Sequence, residues 1–141
     1  EHLFQASKFM KARPDIAEYI RTSSARPSQA ASLGRAYQAF LRSDWSQIQI
    51  AKMDEILELK FTQHPELMQL LLGTGDAELV QDSSDDSFWG NGPDEKGRNE
   101  LGRALMRLRR KFQRKYRLEQ VMTMQQQQQQ QNHKRRDSQK L

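Results

Sequence analysis

The residues from Asn99 to Gln120 carry the pattern that most limits how this chain can fold. Leu101 is followed at offsets of 3, 4, 7 and 11 by further apolar residues, which are Ala104, Leu105, Leu108 and Phe112. This spacing places all five side chains on one face of an α-helix. Such a face must be buried against other elements, so the pattern predicts a domain that packs around this helix.

Most of the remaining chain also shows helical patterns. Proline fits the first position of a helix, where its missing N–H is no loss, so Pro14 and Pro65 predict helix starts. The predicted helices cover residues 1–12, 14–22, 28–35, 44–61, 65–72 and 99–120. Residues 78–82 favour a short strand. The predicted fold class is therefore mainly α, an α+β domain with a small β element.

Charge divides the chain into two parts. Residues 1–104 hold 12 Lys and Arg against 16 Asp and Glu, whereas residues 105–141 hold 11 against 2. The basic part contains seven consecutive glutamines, a composition typical of disordered or loosely helical segments. We predict one domain over residues 1–118 and a Gln-rich, basic and disordered tail over residues 119–141. The tail is interpreted as a solvated extension, a nuclear-import signal or a nonspecific contact with nucleic acid.

The composition also narrows the chemistry. No apolar run approaches the length of a membrane span, there is no cysteine, and no His, Asp and Glu cluster has metal-ligand spacing. We therefore expect an intracellular protein of the cytoplasm or nucleus, with no membrane contact, no metal and no cofactor.

The stretch from Asp86 to Gly102 is typical of a polar-ligand site. Trp89 offers a flat aromatic surface, and Gly90 lets the backbone approach a ligand closely. The N–H groups of the helix that begins near Asn99 are able to hold a phosphate or carboxylate. The glycine spacing fits neither a P-loop nor a Rossmann fingerprint, so a different kind of ligand site is expected.

Three polar residues of the first helix share one face. Glu1, Gln5 and Lys8 follow at i, i+4 and i+7. One interpretation is a surface salt bridge, which would contribute little. The other is chemical, because a lysine withdrawn from water loses its proton more readily and becomes a nucleophile, while a neighbouring glutamate transfers protons.

Two further residues have alternative interpretations. Trp45 lies on the apolar face of its helix, so it serves either the core or an aromatic ligand contact. Arg35 follows a glycine and is either an anion-binding residue or an exposed surface charge.

The order of residues along the chain resembles the NADAR domain, also called the YbiA-like family. The resemblance covers residues 1–112 and rests on Glu1, His2, Phe4, Gln5, Lys8, Phe9, Gly34, Arg35, Asp44, Trp45, Met53, Lys60, Phe61, Leu71, Leu72, Thr74, Gly75, Leu79, Val80, Asp86, Phe88, Trp89, Gly90, Gly97, Asn99, Leu101, Gly102, Leu105, Met106 and Arg109. It implies a YbiA-like helical domain whose N-terminal strand segment is missing from this chain. The chain differs from the family at Gln81, a position where glutamate is common.

The resemblance implies a hydrolase that cleaves an N-glycosidic bond. The implied substrates are a ribosylaminopyrimidine intermediate of riboflavin biosynthesis or an ADP-ribosylated guanine of a nucleic acid. Glu1, Lys8 and Asp86 match the catalytic positions, and Trp45 and Trp89 match the two aromatic positions. We add Arg35, Gly90 and Asn99 as candidate substrate contacts.

Two mechanisms fit these residues. A carboxylate can stabilise positive charge at ribose C1′ while water attacks, or Lys8 can form a Schiff base with an opened ribose. Two functions of other classes also stay open. One is a catalytically impaired module that binds ADP-ribose or a nucleotide, and the other is a helical protein that binds nucleic acid through its basic C-terminal helix.

Overall fold

A computed structural model of the chain describes residues 1–139. Within them the chain forms six α-helices and one short 3-10 helix. The α-helices are α1 His2–Ser7, α2 Pro14–Thr22, α3 Pro27–Ala36, α4 Trp45–Gln63, α5 Pro65–Gly73 and α6 Glu100–Ser138, and the 3-10 helix is Gln38–Phe40. None of the helices in these residues is both long and apolar enough to cross a bilayer.

The predicted helix starts at Pro14 and Pro65 are confirmed, and Pro27 begins α3 in the same way. The predicted first helix, over residues 1–12, is wrong in its second half because α1 ends at Ser7. The N–H of Phe9 bonds the carbonyl of Ala6, three residues back, which tightens the chain into turns. These turns bury Phe9 completely and lead to Arg13, whose backbone is not helical (φ −141°, ψ 78°) and which directly precedes the proline that begins α2.

Two apolar clusters hold the helices together. The first joins α1, α2 and α3 and consists of Ala6, Phe9, Ile16, Ala17, Ile20 and Ala30. The second joins α4, α5 and α6 and is built around Leu57, Leu71, Ala104, Leu108 and Phe112. The predicted apolar face of the last helix therefore does pack as a core element. α1 also packs against α4, which joins the helices of the first cluster to those of the second.

The strand predicted over residues 78–82 is not found, and the described residues contain no strand. A strand needs a partner for a ladder of hydrogen bonds, and this segment has only separate contacts. The side chain of Asn99 binds both the carbonyl of Leu79 at 2.9 Å and the N–H of Gln81 at 2.9 Å. Gly102 lies so close to the Leu79 carbonyl that any Cβ would overlap it. The loop before α6 is therefore held by side chains and close backbone contact.

α6 is much longer than the predicted helix over residues 99–120. It continues through the glutamine run to Ser138, and glutamine is a good helix former. The structure therefore has a helix where the sequence analysis predicts a disordered tail. Residues 114–139 are all exposed. Burial thus ends at residue 113, before the predicted boundary at residue 118. The helix runs across that boundary without a break, and the division into domain and tail stays a prediction. The last two residues of the predicted tail lie outside the described residues.

Candidate active site

An aromatic cluster lies where α1 meets α4 and the loop before α6. The ring of Phe4 contacts Trp45 with centroids 5.3 Å apart and Trp89 with centroids 5.5 Å apart, both edge to face. Phe4 and Trp45 are buried, whereas Trp89 keeps part of its surface open. The structure therefore brings together the two tryptophans that the sequence places 44 positions apart.

Lys8 lies beside this cluster. Its Nζ is 5.5 Å from the Phe4 centroid and 6.0 Å from the Trp45 centroid. Burial lowers the pKa of Lys8 from its ordinary value, the charge of Glu1 raises it, and the charge of Arg35 lowers it again. The ring faces attract the ammonium form and oppose part of this lowering. The net lowering gives Lys8 a larger fraction of free amine near neutral pH than an exposed lysine has.

Glu1 is held by a buried amide. Gln5 is only 7% exposed, and its Nε2 donates to Oε1 of Glu1 at 2.6 Å. Gly34 of α3 makes room for this amide, because a Cβ there would overlap the Gln5 oxygen. Within residues 1–139 Glu1 and Lys8 form no ion pair, so the salt-bridge interpretation of this helix face is wrong. Glu1 instead acts on Lys8 without direct contact, because its negative charge raises the pKa of Lys8.

The structure confirms one of the two interpretations of Arg35, an exposed surface charge. Its side chain is exposed and donates to the Ser32 hydroxyl at 3.2 Å. Its charge still reaches Lys8, so it borders the site. Binding of a substrate anion by Arg35 stays a prediction.

Asp86 shapes the turn that carries Trp89. One oxygen of its carboxylate accepts the backbone N–H of Phe88 at 3.0 Å and that of Trp89 at 2.8 Å. Such a turn fixes the direction of the backbone at the tryptophan. The structure therefore gives Asp86 a positioning contact, and its catalytic role stays a prediction.

Gly90 and Asn99 both make contacts within the loop. A Cβ at Gly90 would lie 2.8 Å from the Gln81 carbonyl and 3.0 Å from that of Asp86. The amide of Asn99 is used by Leu79 and Gln81, as described above. A substrate contact at either residue stays a prediction.

The prediction of an anion site at the start of α6 is wrong for the first two N–H groups of the helix, because both are already hydrogen-bonded to backbone carbonyls. The N–H of Glu100 binds the Phe88 carbonyl, and the N–H of Leu101 binds the Trp89 carbonyl, each at 3.0 Å. The Glu100 side chain is also a carboxylate that is only 4% exposed. These two donors are therefore not available to an anion, and the carboxylate of Glu100 beside them would repel it.

Sequence reasoning missed a buried arginine that links the two helices of the site. Arg42 is 6% exposed; its N–H binds the Lys8 carbonyl at 2.9 Å, and its guanidinium binds Ser7 O at 3.4 Å. The same guanidinium holds both oxygens of Asp44, at 2.6 and 2.9 Å, just before Trp45. Arg42 thus fixes the end of α1 relative to the start of α4. The available signal was an arginine two positions before an acid, which is too common to identify such a role.

The site is a set of side chains around an open aromatic surface. A cavity of about 540 Å³ lies elsewhere, between α5 and α6, and contains none of the candidate residues. Across residues 1–139, no group of three or more His, Cys, Asp or Glu side chains is arranged to hold a metal ion. The arrangement can stack a planar group on Trp89 and present an amine and a carboxylate beside it.

Comparison with known proteins identifies the class to which this fold and site belong. The family model of the NADAR domain matches residues 1–113, and the chain belongs to that family. The NMR structure of Escherichia coli YbiA is similar to this chain, with a TM-score of 0.73 and 39% identity, over 82% of this chain and 67% of that one. The helical, YbiA-like fold is thereby confirmed.

Curated relatives carry two kinds of name. The chain is 43% identical over 109 residues to the N-glycosidase YbiA of Escherichia coli (strain K12), covering 77% of this chain and 66% of that protein. It is 44% identical over 113 residues to a riboflavin biosynthesis protein of Vibrio vulnificus, covering 80% of this chain and 30% of that protein. An N-glycosidase of Nostoc punctiforme is 39% identical over 109 residues, which are 77% of this chain and 70% of that protein. The chain thus spans only part of each relative, and the predicted missing N-terminal strand segment stays a prediction.

Proposed function

We propose that this chain supplies the active site of an N-glycosidase, a hydrolase that cleaves the bond between ribose C1′ and a nitrogen of a heterocycle. The observation that carries the proposal is the half-buried Lys8, with its lowered pKa, between the aromatic cluster and Glu1. Membership of the NADAR family and relatives named N-glycosidases support it.

The heterocycle stacks on Trp89. Trp45 is 7% exposed and contacts Phe4, so it forms the inner wall, whereas Trp89 has free surface to offer. Stacking selects planar rings without choosing one base. This fits either a ribosylaminopyrimidine of riboflavin biosynthesis or an ADP-ribosylated guanine, and the riboflavin name of one relative supports the first.

The lowered pKa favours the covalent route at Lys8. Opening of the sugar breaks the bond between C1′ and the ring oxygen and leaves a C1′ imine to the heterocycle nitrogen. The free amine of Lys8 attacks C1′, and the heterocycle leaves as an amine while C1′ becomes a Schiff base to Lys8. Water then adds at C1′ and releases the sugar aldehyde and Lys8, so that one water is consumed. Glu1 moves the protons to the leaving nitrogen and from the water.

Direct hydrolysis is the other route for the same bond. Water attacks C1′ while Asp86 or Glu1 stabilises the positive charge that develops there. It needs an available carboxylate oxygen, and one Asp86 oxygen already serves the turn.

The proposal is tested by release of the free heterocycle. The chain is incubated with a ribosylaminopyrimidine and, separately, with ADP-ribosylated guanosine, and the products are separated by chromatography. Release of the heterocycle from either substrate is expected. The Asp86→Asn variant keeps the acceptor for the turn and removes the charge, so loss of release in it supports a catalytic carboxylate. Ligand-dependent melting without any release would show a binding module instead.

Removing the charge of Glu1 and removing the charge of Arg35 should shift the pKa of Lys8 in opposite directions. Hydrolysis through Lys8 rises with pH as its ammonium loses a proton. Glu1→Gln removes the charge that raises the pKa of Lys8, so the midpoint of the pH–rate profile should fall. Arg35→Gln removes a charge that lowers this pKa, so the midpoint should rise. Each shift should be below about one pH unit, because the groups are partly exposed and screened.

The midpoint is measured from single-turnover rates, so a change in amplitude does not affect it. Arg21→Gln on α2 is the matched control, since Arg21 is exposed and pairs with Glu18. Shifts of the same sign in the Glu1 and Arg35 variants would contradict the assignment of the midpoint to Lys8.

A further inference from the structure

Gln5 lies between Glu1 and Lys8 on the polar face of α1. It follows Glu1 by four residues and precedes Lys8 by three, and the backbone of Lys8 keeps helical angles (φ −59°, ψ −21°). The two backbones are thus separated by about 10 Å of helix. The extended side chains of a glutamate and a lysine reach across such a distance. Glu1 and Lys8, both within the described residues, nevertheless form no ion pair, so another contact holds them apart.

The amide of Gln5 makes this contact. Its Nε2 donates to Oε1 of Glu1 at 2.6 Å, which turns the Glu1 carboxylate toward Gln5. An amide nitrogen only donates, so it binds the carboxylate of Glu1 and cannot bind the ammonium of Lys8. The side chain of Gln5 is buried and has little freedom to move with Glu1. Gln5 therefore fixes the carboxylate on its own side of the gap.

Gly34 of α3 fixes the other end of the same amide. Oε1 of Gln5 occupies the space that a Cβ at position 34 would fill. This oxygen is buried and accepts no hydrogen bond from residues 1–139. A buried acceptor without a donor destabilises a fold. The fold tolerates this loss, which indicates that the amide is placed for the bond that its nitrogen makes to Glu1.

We propose that Gln5 is a positioning residue that holds the Glu1 carboxylate apart from the Lys8 amine, so that the amine stays free to attack C1′. The inference rests on the proposed function and adds to that site a residue that acts through Glu1. A direct ion pair would hold Lys8 as an ammonium, which has no lone pair for the attack. Without the amide, the Glu1 carboxylate turns toward Lys8 and forms that pair.

The charges around Lys8 make its titration a measure of where the Glu1 carboxylate lies. Glu1 raises the pKa of Lys8, and Arg35 of α3 lowers it. Other charged groups on the elements packed against α1 are paired with one another, namely Arg13 with Asp15, Arg21 with Glu18 and Arg42 with Asp44. A carboxylate that comes closer to Lys8 therefore raises its pKa further.

The test follows the titration of Lys8 by NMR of Cε in isotope-labelled lysine, with the signal assigned from Lys8→Met. Gln5→Met keeps a long side chain that favours helix and removes the amide. The midpoint should rise by about half a pH unit, the size expected of a partly exposed ion pair. In the Glu1→Gln background the same substitution should leave the midpoint unchanged, because no carboxylate is released. A midpoint that stays or falls in Gln5→Met alone, or that rises equally in both backgrounds, would overturn the proposal.

A second variant, Gly34→Ala, keeps Gln5 and closes the space that its oxygen occupies. It should raise the midpoint in the same way, again only where Glu1 is present. A rise that persists in the Glu1→Gln background would count against the proposal, since it would come from the neighbouring Arg35. The matched controls are Gly73→Ala on α5, where a Cβ meets nothing within 4 Å, and Gln29→Met at an exposed position of α3. Both should keep the midpoint of the unmodified chain.

Failure of this inference can be distinguished from failure of the proposed function, because the titration needs no substrate. Release of the heterocycle by the unmodified chain, with an unshifted titration in Gln5→Met, would overturn only the Gln5 proposal. The expected shifts in a chain that releases no heterocycle from any substrate would overturn only the N-glycosidase proposal. In an active chain the midpoint of the pH–rate profile should rise with the titration of Lys8.

Discussion

Replacing Lys8 by methionine should abolish both hydrolysis of the substrate and its covalent trapping by borohydride. Methionine fills the space of the lysine stem next to Phe4 and Trp45 but has no amine to attack C1′. The expected loss of rate is at least about a hundredfold, the lower range for removing a group that takes part in the transition state. Lys8→Arg should lose as much, because arginine keeps the charge but stays protonated.

Trapping and intact mass measurement decide the route. In the unmodified chain, borohydride should reduce the Schiff base and leave one sugar on Lys8, located by peptide mapping. Lys11→Met is the matched control, since Lys11 is exposed shortly after α1, and it should keep rate and adduct. Hydrolysis without an adduct at Lys8 would contradict the covalent route and favour direct attack by water. Full activity of Lys8→Met would remove Lys8 from the mechanism.

The helices were the predictable part of the fold. The face formed by Leu101, Leu105 and Phe112 is set by local spacing, and proline marks the start of α2 and α5 without any knowledge of tertiary contacts. The end of α1 at Ser7 was not predictable in this way, because it depends on burying Phe9 among residues of α2 and α3. The strand expected over residues 78–82 failed for the same reason, since its partner would have to be found elsewhere in the chain.

The site was predictable in its residues but not in its contacts. The face shared by Glu1 and Lys8 follows from helix geometry alone. Resemblance to a family added Trp45 and Trp89, but only the fold shows that Phe4 joins them. The slot at Gly34 that accepts the Gln5 amide lies 29 positions away in the sequence. Such close approaches leave no local pattern.

The candidate site depends on two apolar clusters at once. Glu1, Phe4 and Lys8 lie in α1 or directly next to it, and the first cluster holds α1. Trp89 lies in the loop before α6, and α6 packs in the second cluster. Arg42 and Phe4 connect the two sides. A change that loosens the first cluster should therefore move the amine away from Trp89 even if α4, α5 and α6 stay folded.

Phe9→Ala should cause the largest loss of stability among single substitutions in the first cluster. Phe9 is 0% exposed and packs among residues of α1, α2 and α3. Removing a buried ring loses its transfer free energy and leaves a cavity, which together cost about 3–5 kcal/mol of the free energy of unfolding. Urea denaturation followed by circular dichroism measures this loss. Hydrolysis should fall as well, because Lys8 precedes Phe9 directly.

Leu70→Ala on α5 is the control, since that side chain is 70% exposed, and it should change the free energy of unfolding by less than about 0.5 kcal/mol. Phe9→Leu keeps an apolar side chain in the cluster and should recover part of the stability and of the activity together. A Phe9→Ala chain that unfolds like the unmodified one would contradict the first cluster as the support of α1. Stability restored by Phe9→Leu without activity would show instead that Lys8 needs the ring itself for its position.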